Sequence, residues 1–137
     1  NRLDGQDAVL FCNMLGQLSL SPAMELPDVR AEFKQLAARV ELLCTWASFH
    51  DRLSADFESV ASPSEWLKLD PHAQKHSVSR LDVDTLATHF LQPMKVAYEH
   101  DAEEWFPALL KGHSFRYWLW GLRADQHHVI EATYSAK

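Results

Sequence analysis

Several histidines in the chain are followed four residues later by a glutamate or by another histidine. On a helix, residues four apart lie on the same face, so each pair would present its two side chains together. Imidazole and carboxylate groups are usual protein ligands of zinc and iron. The pairs are His72 with His76, His100 with Glu104, and His127 with Glu131.

Among these pairs, His100 and Glu104 form the best candidate for a metal site or for the acid–base pair of a small hydrolase. Chance alone produces such spacings in a chain of 137 residues that contains eight histidines. We therefore predict no bound cofactor. A helical protein that binds a metal through histidine and carboxylate remains an alternative function.

The segment from His100 to Pro107 reads HDAEEWFP. It resembles the part of hemerythrin-like four-helix proteins in which His-x3-Glu precedes Phe-Pro, and the resemblance implies a two-iron site completed by histidines of other helices. The chain departs from that pattern, because no His-x3-His follows Pro107 and the preceding His89 lies eleven residues upstream. The match covers eight residues, and we do not assign the chain to this family.

A second short motif lies near the C-terminus, where four residues separate Arg123 from His128. This resembles the Arg–His motif of the helical HEPN ribonucleases, which implies cleavage of RNA by the two side chains across a dimer. Ala124 stands where that family usually has a polar residue. With 13 Lys and Arg against 19 Asp and Glu, the net charge of −6 disfavours a phosphate-binding surface. We predict no nucleic-acid partner and keep a HEPN-like hydrolase as an alternative.

Aromatic residues are concentrated between positions 105 and 120. Consecutive aromatic side chains on one helix cannot all be buried against a single neighbour, so some of them should contact a partner or a ligand. A small apolar ligand is therefore a further alternative. The residues predicted to bind a ligand or partner are Trp105, Tyr117, Trp118 and Trp120.

The strongest predicted element is a long helix from Pro27 to about Val60. Pro27 and Asp28 form a good helix start, and apolar residues then recur every three or four positions without Gly or Pro until Pro63. A helix of this length spans about 50 Å, which exceeds the size of a compact domain. We therefore predict a homodimer in which the far half of this helix packs on a second subunit.

Further helices are predicted around this one. A buried helix is expected over 7–20, and another begins at Asp82 or Asp84 and is kinked at Pro93. Short helices are expected after Ser62 and over 107–112. The aromatic segment 114–122 has the composition of a strand, but such a strand would lack a partner, so we predict helix there and over 124–133.

These expectations combine into one all-α domain over residues 1–137, a bundle of five or six helices around the long helix. An apolar share of 47% and only four glycines fit a globular helical chain, and no apolar run is long enough for a membrane span. Two cysteines indicate a cytoplasmic protein with inert thiols. We predict a small, non-catalytic interaction or regulatory module that self-associates through the long helix and the aromatic C-terminal segment.

Overall fold

The computed structural model describes residues 7–56, 79–91, 95–100, 102–107, 114–123 and 126–136. In these ranges the chain forms a five-stranded mixed sheet and two α-helices. Two short 3-10 helices, Leu15–Leu20 and Pro22–Glu25, follow the first strand. The strands are β1 (Ala8–Cys12), β2 (Thr45–Asp56), β3 (Lys95–Glu99), β4 (Phe115–Arg123) and β5 (Gln126–Ser135), and the helices are α1 (Pro27–Leu43) and α2 (Val83–Phe90).

Strand β2 organises the sheet, because it pairs along both of its edges. On one edge, β5 runs antiparallel to it from Trp46 to Asp56, and β4 continues the sheet beyond β5. The other edge is shared by two strands. β1 pairs in parallel with the first half of β2, and β3 pairs antiparallel with its last four residues.

The two faces of the sheet have different surroundings. Side chains alternate along a strand, so Trp46, Val129 and Tyr117 share the face that packs against the helices. α1 contributes Val40 to this core, and α2 contributes Phe90. We call this side of the sheet the helix face. The opposite side, which we call the open face, carries larger exposed side chains: Leu10, Phe49, Trp120 and Tyr134.

The all-α bundle prediction is wrong, and the long helix shows why. α1 begins at Pro27 as predicted, but it ends at Leu43, because Cys44 is already extended. Its 17 residues span about 26 Å rather than 50 Å, which removes the reason for a dimer built on this helix. The following residues form β2, where burial alternates with a period of two from Trp46 to His50. Residues 57–60 lie outside the described part.

The predicted helix over 7–20 is also wrong, since this segment forms β1 and a 3-10 helix. The C-terminal helices over 114–122 and 124–133 are replaced by β4 and β5. The expected lack of a partner was mistaken because the two segments pair with each other and β5 pairs with β2. The short helices predicted after Ser62 and over 107–112 fall almost wholly outside the described residues.

The helix predicted from Asp82 is confirmed in its first two turns. The Asp82 carboxylate accepts hydrogen bonds from the Thr85 amide and hydroxyl, at 2.8 and 2.9 Å, and therefore caps α2. Leu86 and Phe90 are buried as the spacing predicted, and the helix ends there. Pro93, the predicted kink, lies outside the described residues. Neither described α-helix has the length and apolar character needed to cross a bilayer.

Gly16 allows the first 3-10 helix to approach β2 at the point where β1 ends. A Cβ atom on Gly16 would collide with the backbone oxygen of Asp51 and would lie 3.2 Å from the Cβ of His100. The close approach therefore requires glycine at this position.

We expect Gly16→Ala to destabilise the protein by about 1–3 kcal/mol, because the backbone of β2 cannot move away without breaking sheet hydrogen bonds. Urea unfolding at pH 7 measures the effect. A Gly-to-Ala change without this collision would leave stability unchanged or increase it, and that outcome would contradict the described packing.

Candidate metal-binding site

A β-bulge in β2 brings two polar side chains to the open face of the sheet. The register against β5 slips between Asp51 and Leu53, so that Asp51 lies opposite Ile130 and Ser54 lies opposite His128. Ile130 and His128 are two apart and therefore share a face. Without the bulge, residues three apart on β2 would point to opposite sides.

Four side chains meet at this point in an almost fully buried cluster. The Ser54 Oγ lies 2.8 Å from His100 Nε2 and 3.1 Å from His128 Nδ1. The same His128 Nδ1 lies 3.3 Å from Asp51 Oδ2. Asp51, His100 and His128 are 2%, 3% and 8% exposed. Burying this many polar groups is costly unless each is satisfied, so the cluster requires a physical reason.

Asn13 and Gln17, which follow β1, form hydrogen bonds to Asp51 at the edge of the sheet. Asn13 has a φ of 45°, a left-handed conformation that asparagine adopts more readily than most residues. In this conformation its amide donates to the Phe49 carbonyl oxygen at 2.7 Å, and its side-chain oxygen accepts from the Asp51 amide at 3.1 Å. Gln17 then donates to Asp51 Oδ2 at 2.8 Å. The carboxylate is thereby fixed in one orientation.

His100 follows β3 and is held by backbone groups. Its amide donates to the Arg52 carbonyl oxygen, and its Nδ1 lies 3.0 Å from the carbonyl oxygen of Gly16. Because a carbonyl oxygen can only accept, Nδ1 carries the proton and Nε2 presents its lone pair to the cluster. Burial lowers the pKa of His100, which favours this neutral form near pH 7.

Two polar atoms of the cluster have no hydrogen-bond partner among the described residues. They are Asp51 Oδ1 and His128 Nε2, and both are buried. A buried acceptor or donor without a partner costs about 1–3 kcal/mol. The cluster therefore contains polar atoms that its own hydrogen bonds leave without a partner.

The donor set has the composition of a metal site, and one of its three pairs of ligand atoms has the spacing of one. One ligand atom each from Asp51, His100 and His128 can be chosen so that all three lie within 4.8 Å of one another. Ligands on one ion with bonds of about 2.0–2.2 Å lie about 3–3.5 Å apart. The 3.3 Å separation of His128 Nδ1 from Asp51 Oδ2 already meets this spacing.

A second buried polar cluster lies on the helix face around the Glu131 carboxylate. Two of its atoms, His50 Nε2 and Arg80 Nη2, also lack a hydrogen bond among the described residues, but each lies within 3.3 Å of Glu131 Oε1. The guanidinium of Arg80 binds both carboxylate oxygens of Glu131 at 3.0 and 3.1 Å, and it also pairs with Glu103. The Tyr117 hydroxyl donates to Glu131 Oε2 at 2.8 Å, and His50 Nε2 lies 3.3 Å from Oε1. We assign this cluster a structural role.

The pKa of Glu131 reflects these contacts. Burial raises it, but the hydrogen bonds from His50 and Arg80 and the charge of Arg80 outweigh burial and lower the pKa to about 2. A carboxylate with a depressed folded pKa stabilises the fold above its unfolded pKa of about 4.5. That contribution is lost as the pH falls towards 2.

We expect Glu131→Gln to cost about 3–5 kcal/mol at pH 7, because it leaves Arg80 buried beside a neutral group. The difference from the native protein should shrink at pH 3, where the Glu131 contribution is partly lost. Urea unfolding at both pH values measures it. Glu104→Gln is the matched control: Glu104 is 41% exposed and pairs with Arg30 and Lys34, so the cost should stay below about 1 kcal/mol. Equal costs for the two variants would contradict the structural role.

The structure separates the pair His100 and Glu104. Residues 102–105 form a turn rather than a helix, and Glu104 faces Arg30 and Lys34 on the surface. His100 instead contacts Ser54. The hemerythrin-like and HEPN-like resemblances both imply helices, whereas Arg123 and His128 lie on the neighbouring strands β4 and β5. His72 and His76 lie outside the described residues.

The four predicted aromatic residues occupy different places. Trp105 is buried beneath Arg30 and Lys34, whose charged groups lie 5.1 and 5.7 Å from its ring. Tyr117 is buried on the helix face. Trp118 and Trp120 lie on the open face, and the exposed Trp120 ring is 6.1 Å from His128.

Sequence reasoning missed Asp51 and Ser54 as site residues. Asp51 stands in a segment that was predicted to be helical, and no spacing rule connects it to His100 or His128. One signal was available: the sequence from Ser48 to Ser54 places polar and charged residues within an apolar chain segment. In a central strand such residues are buried and need partners.

Comparisons of the chain with protein-family models, with curated proteins and with solved structures give no match.

Proposed function

We propose that this protein binds a divalent transition-metal ion through Asp51, His100 and His128. The observation that carries the proposal is the convergence of three ligand atoms within 4.8 Å in a buried cluster. Two imidazoles and one carboxylate form a donor set that suits Fe²⁺ and Zn²⁺ in proteins. Hard ions such as Mg²⁺ and Ca²⁺ prefer all-oxygen sites.

The groups around the three ligands support this assignment. Metal-binding histidines usually donate their second ring N–H to a carbonyl or carboxylate, and His100 does so to Gly16. Asp51 is likewise fixed by Gln17. In the metal-bound form, His128 Nδ1 would present its lone pair to the ion and Nε2 would carry the ring proton. The ligands are thus oriented before the ion enters.

Three protein ligands leave coordination positions for water or a small molecule, so a bound ion would act there as a Lewis acid. The Ser54 hydroxyl is the nearest additional donor, since it contacts both imidazoles. Tyr98, which is exposed, places its ring 4.7 Å from His100, and the Trp120 ring lies 6.1 Å from His128. These two aromatic side chains flank the approach to the cluster from the open face.

We expect metal-free protein to bind one Co²⁺ or Zn²⁺ per chain, with visible Co²⁺ absorption bands typical of nitrogen and oxygen ligands. Binding should also raise thermal stability, by about 2.7 kcal/mol at a metal concentration one hundred times the Kd. Calorimetric titration and thermal unfolding measure both effects. A native protein that binds neither ion with this stoichiometry would overturn the proposal.

Variants identify the ligands. His128→Gln and Asp51→Asn should weaken binding by at least about 100-fold, because each removes a direct ligand. Ser54→Ala is the buried control: it removes the hydroxyl that occupies the lone pair of His100, so binding should be equal or tighter. His89→Gln is the exposed control and should change nothing. Circular dichroism of each variant distinguishes loss of the site from loss of the fold.

A cytoplasmic location remains part of this proposal. Neither the exposed Cys12 nor the buried Cys44 forms a disulfide among the described residues, which suits a reducing compartment.

A further inference from the structure

A groove on the open face lies next to the cluster of Asp51, His100 and His128, one row of side chains further along the strands. Its volume is about 420 Å³, within the range of small-molecule sites. Ala47 and Ala132 form part of its floor, and their small side chains leave space between larger neighbours. The larger residues that line it are Leu10, Phe49, Trp118 and Tyr134.

Arg116 is the one charged residue among the ten that line this groove. In the strand register, Arg116 and Phe49 both lie opposite Ala132, so they flank the floor from β4 and β2. Arg116 is exposed and has no ion-pair partner among the described residues. None of the ten residues that line the groove is acidic, although the chain has a net charge of −6. An unpaired guanidinium beside aromatic walls is complementary to an organic anion.

We propose that the groove binds a small organic carboxylate with a flat apolar body. Arg116 would pair with the carboxylate through two parallel hydrogen bonds. The apolar body would lie over Ala47 and Ala132, between the Phe49 and Trp118 side chains. Aromatic walls favour a flat ring system through stacking contacts. This inference does not depend on the metal, because none of the three proposed ligands lines the groove.

The test uses two probes that differ only in charge, 2-naphthoate and the neutral 2-naphthamide. Calorimetric titration of the native 137-residue chain is carried out with EDTA present, so that the metal proposal is not involved. We expect saturable 1:1 binding of naphthoate at least about tenfold tighter than binding of the amide, as for a charge-assisted hydrogen bond. No saturable binding, or equal affinity for both probes, would overturn the proposal.

Two variants separate the charged contact from the apolar one. Arg116→Gln should abolish the preference for naphthoate, whereas Arg39→Gln, which alters an exposed arginine on α1, should retain it. Phe49→Ala should weaken both probes by similar factors, because it removes a wall of the groove. A preference that survives Arg116→Gln would show that the anion binds elsewhere and would refute the assignment. Arg116 and Phe49 are both solvent-exposed, and circular dichroism verifies that the variants fold.

Discussion

The bulge in β2 is the constraint on which the open-face cluster depends. β2 pairs with β5 over its whole length, and only the register slip after Asp51 lets Asp51 and Ser54 face the same side. The edge of β2 is left open at this point, because β1 pairs no further than Phe49 and β3 begins its pairing at Leu53. Gly16 and His100 contact β2 at this unpaired part of its edge. In a regular strand, Asp51 and Ser54 would point to opposite faces. A strand paired along its whole edge would also leave no place for Gly16 and His100.

Two buried polar clusters, one on each face of the same strands, show different electrostatic balance. On the helix face, the Glu131 carboxylate has Arg80, Tyr117 and His50 as partners, and its pKa falls to about 2. On the open face, Asp51 forms no ion pair with an arginine or lysine among the described residues, since the neighbouring Arg52 pairs with Glu99, and one of the Asp51 oxygens lacks a hydrogen-bond partner. The helix-face cluster is a network of paired groups that stabilises the fold. In the second cluster, the proposed cation would supply the positive charge that no ion pair of Asp51 with arginine or lysine provides among the described residues.

Local structure could be predicted from the sequence where one residue determines the backbone of its own turn, as at a helix start. Pro27 at a helix start and Asp82 as a cap were both correct, since each acts within one turn. The strands were missed because their stability comes from pairing between segments far apart in the chain. A strand over 114–122 was rejected for lack of a partner, and that partner is β5, whose residues were predicted to be helical. His100 was identified, but its contacts with Asp51 and His128 arise only from the sheet register.

The groove and the open-face cluster lie on the same face of the sheet. The row of Phe49, Ala132 and Arg116 is followed two residues further along by the row of Asp51, Ile130 and Trp118. At about 3.3 Å per residue, the rows are about 7 Å apart. The proposed pose over Ala47 and Ala132 directs the apolar body of the anion away from Asp51, because Ala47 comes two residues before Phe49 and Asp51 two residues after it. The strand register therefore keeps the groove and the cluster as separate neighbouring sites.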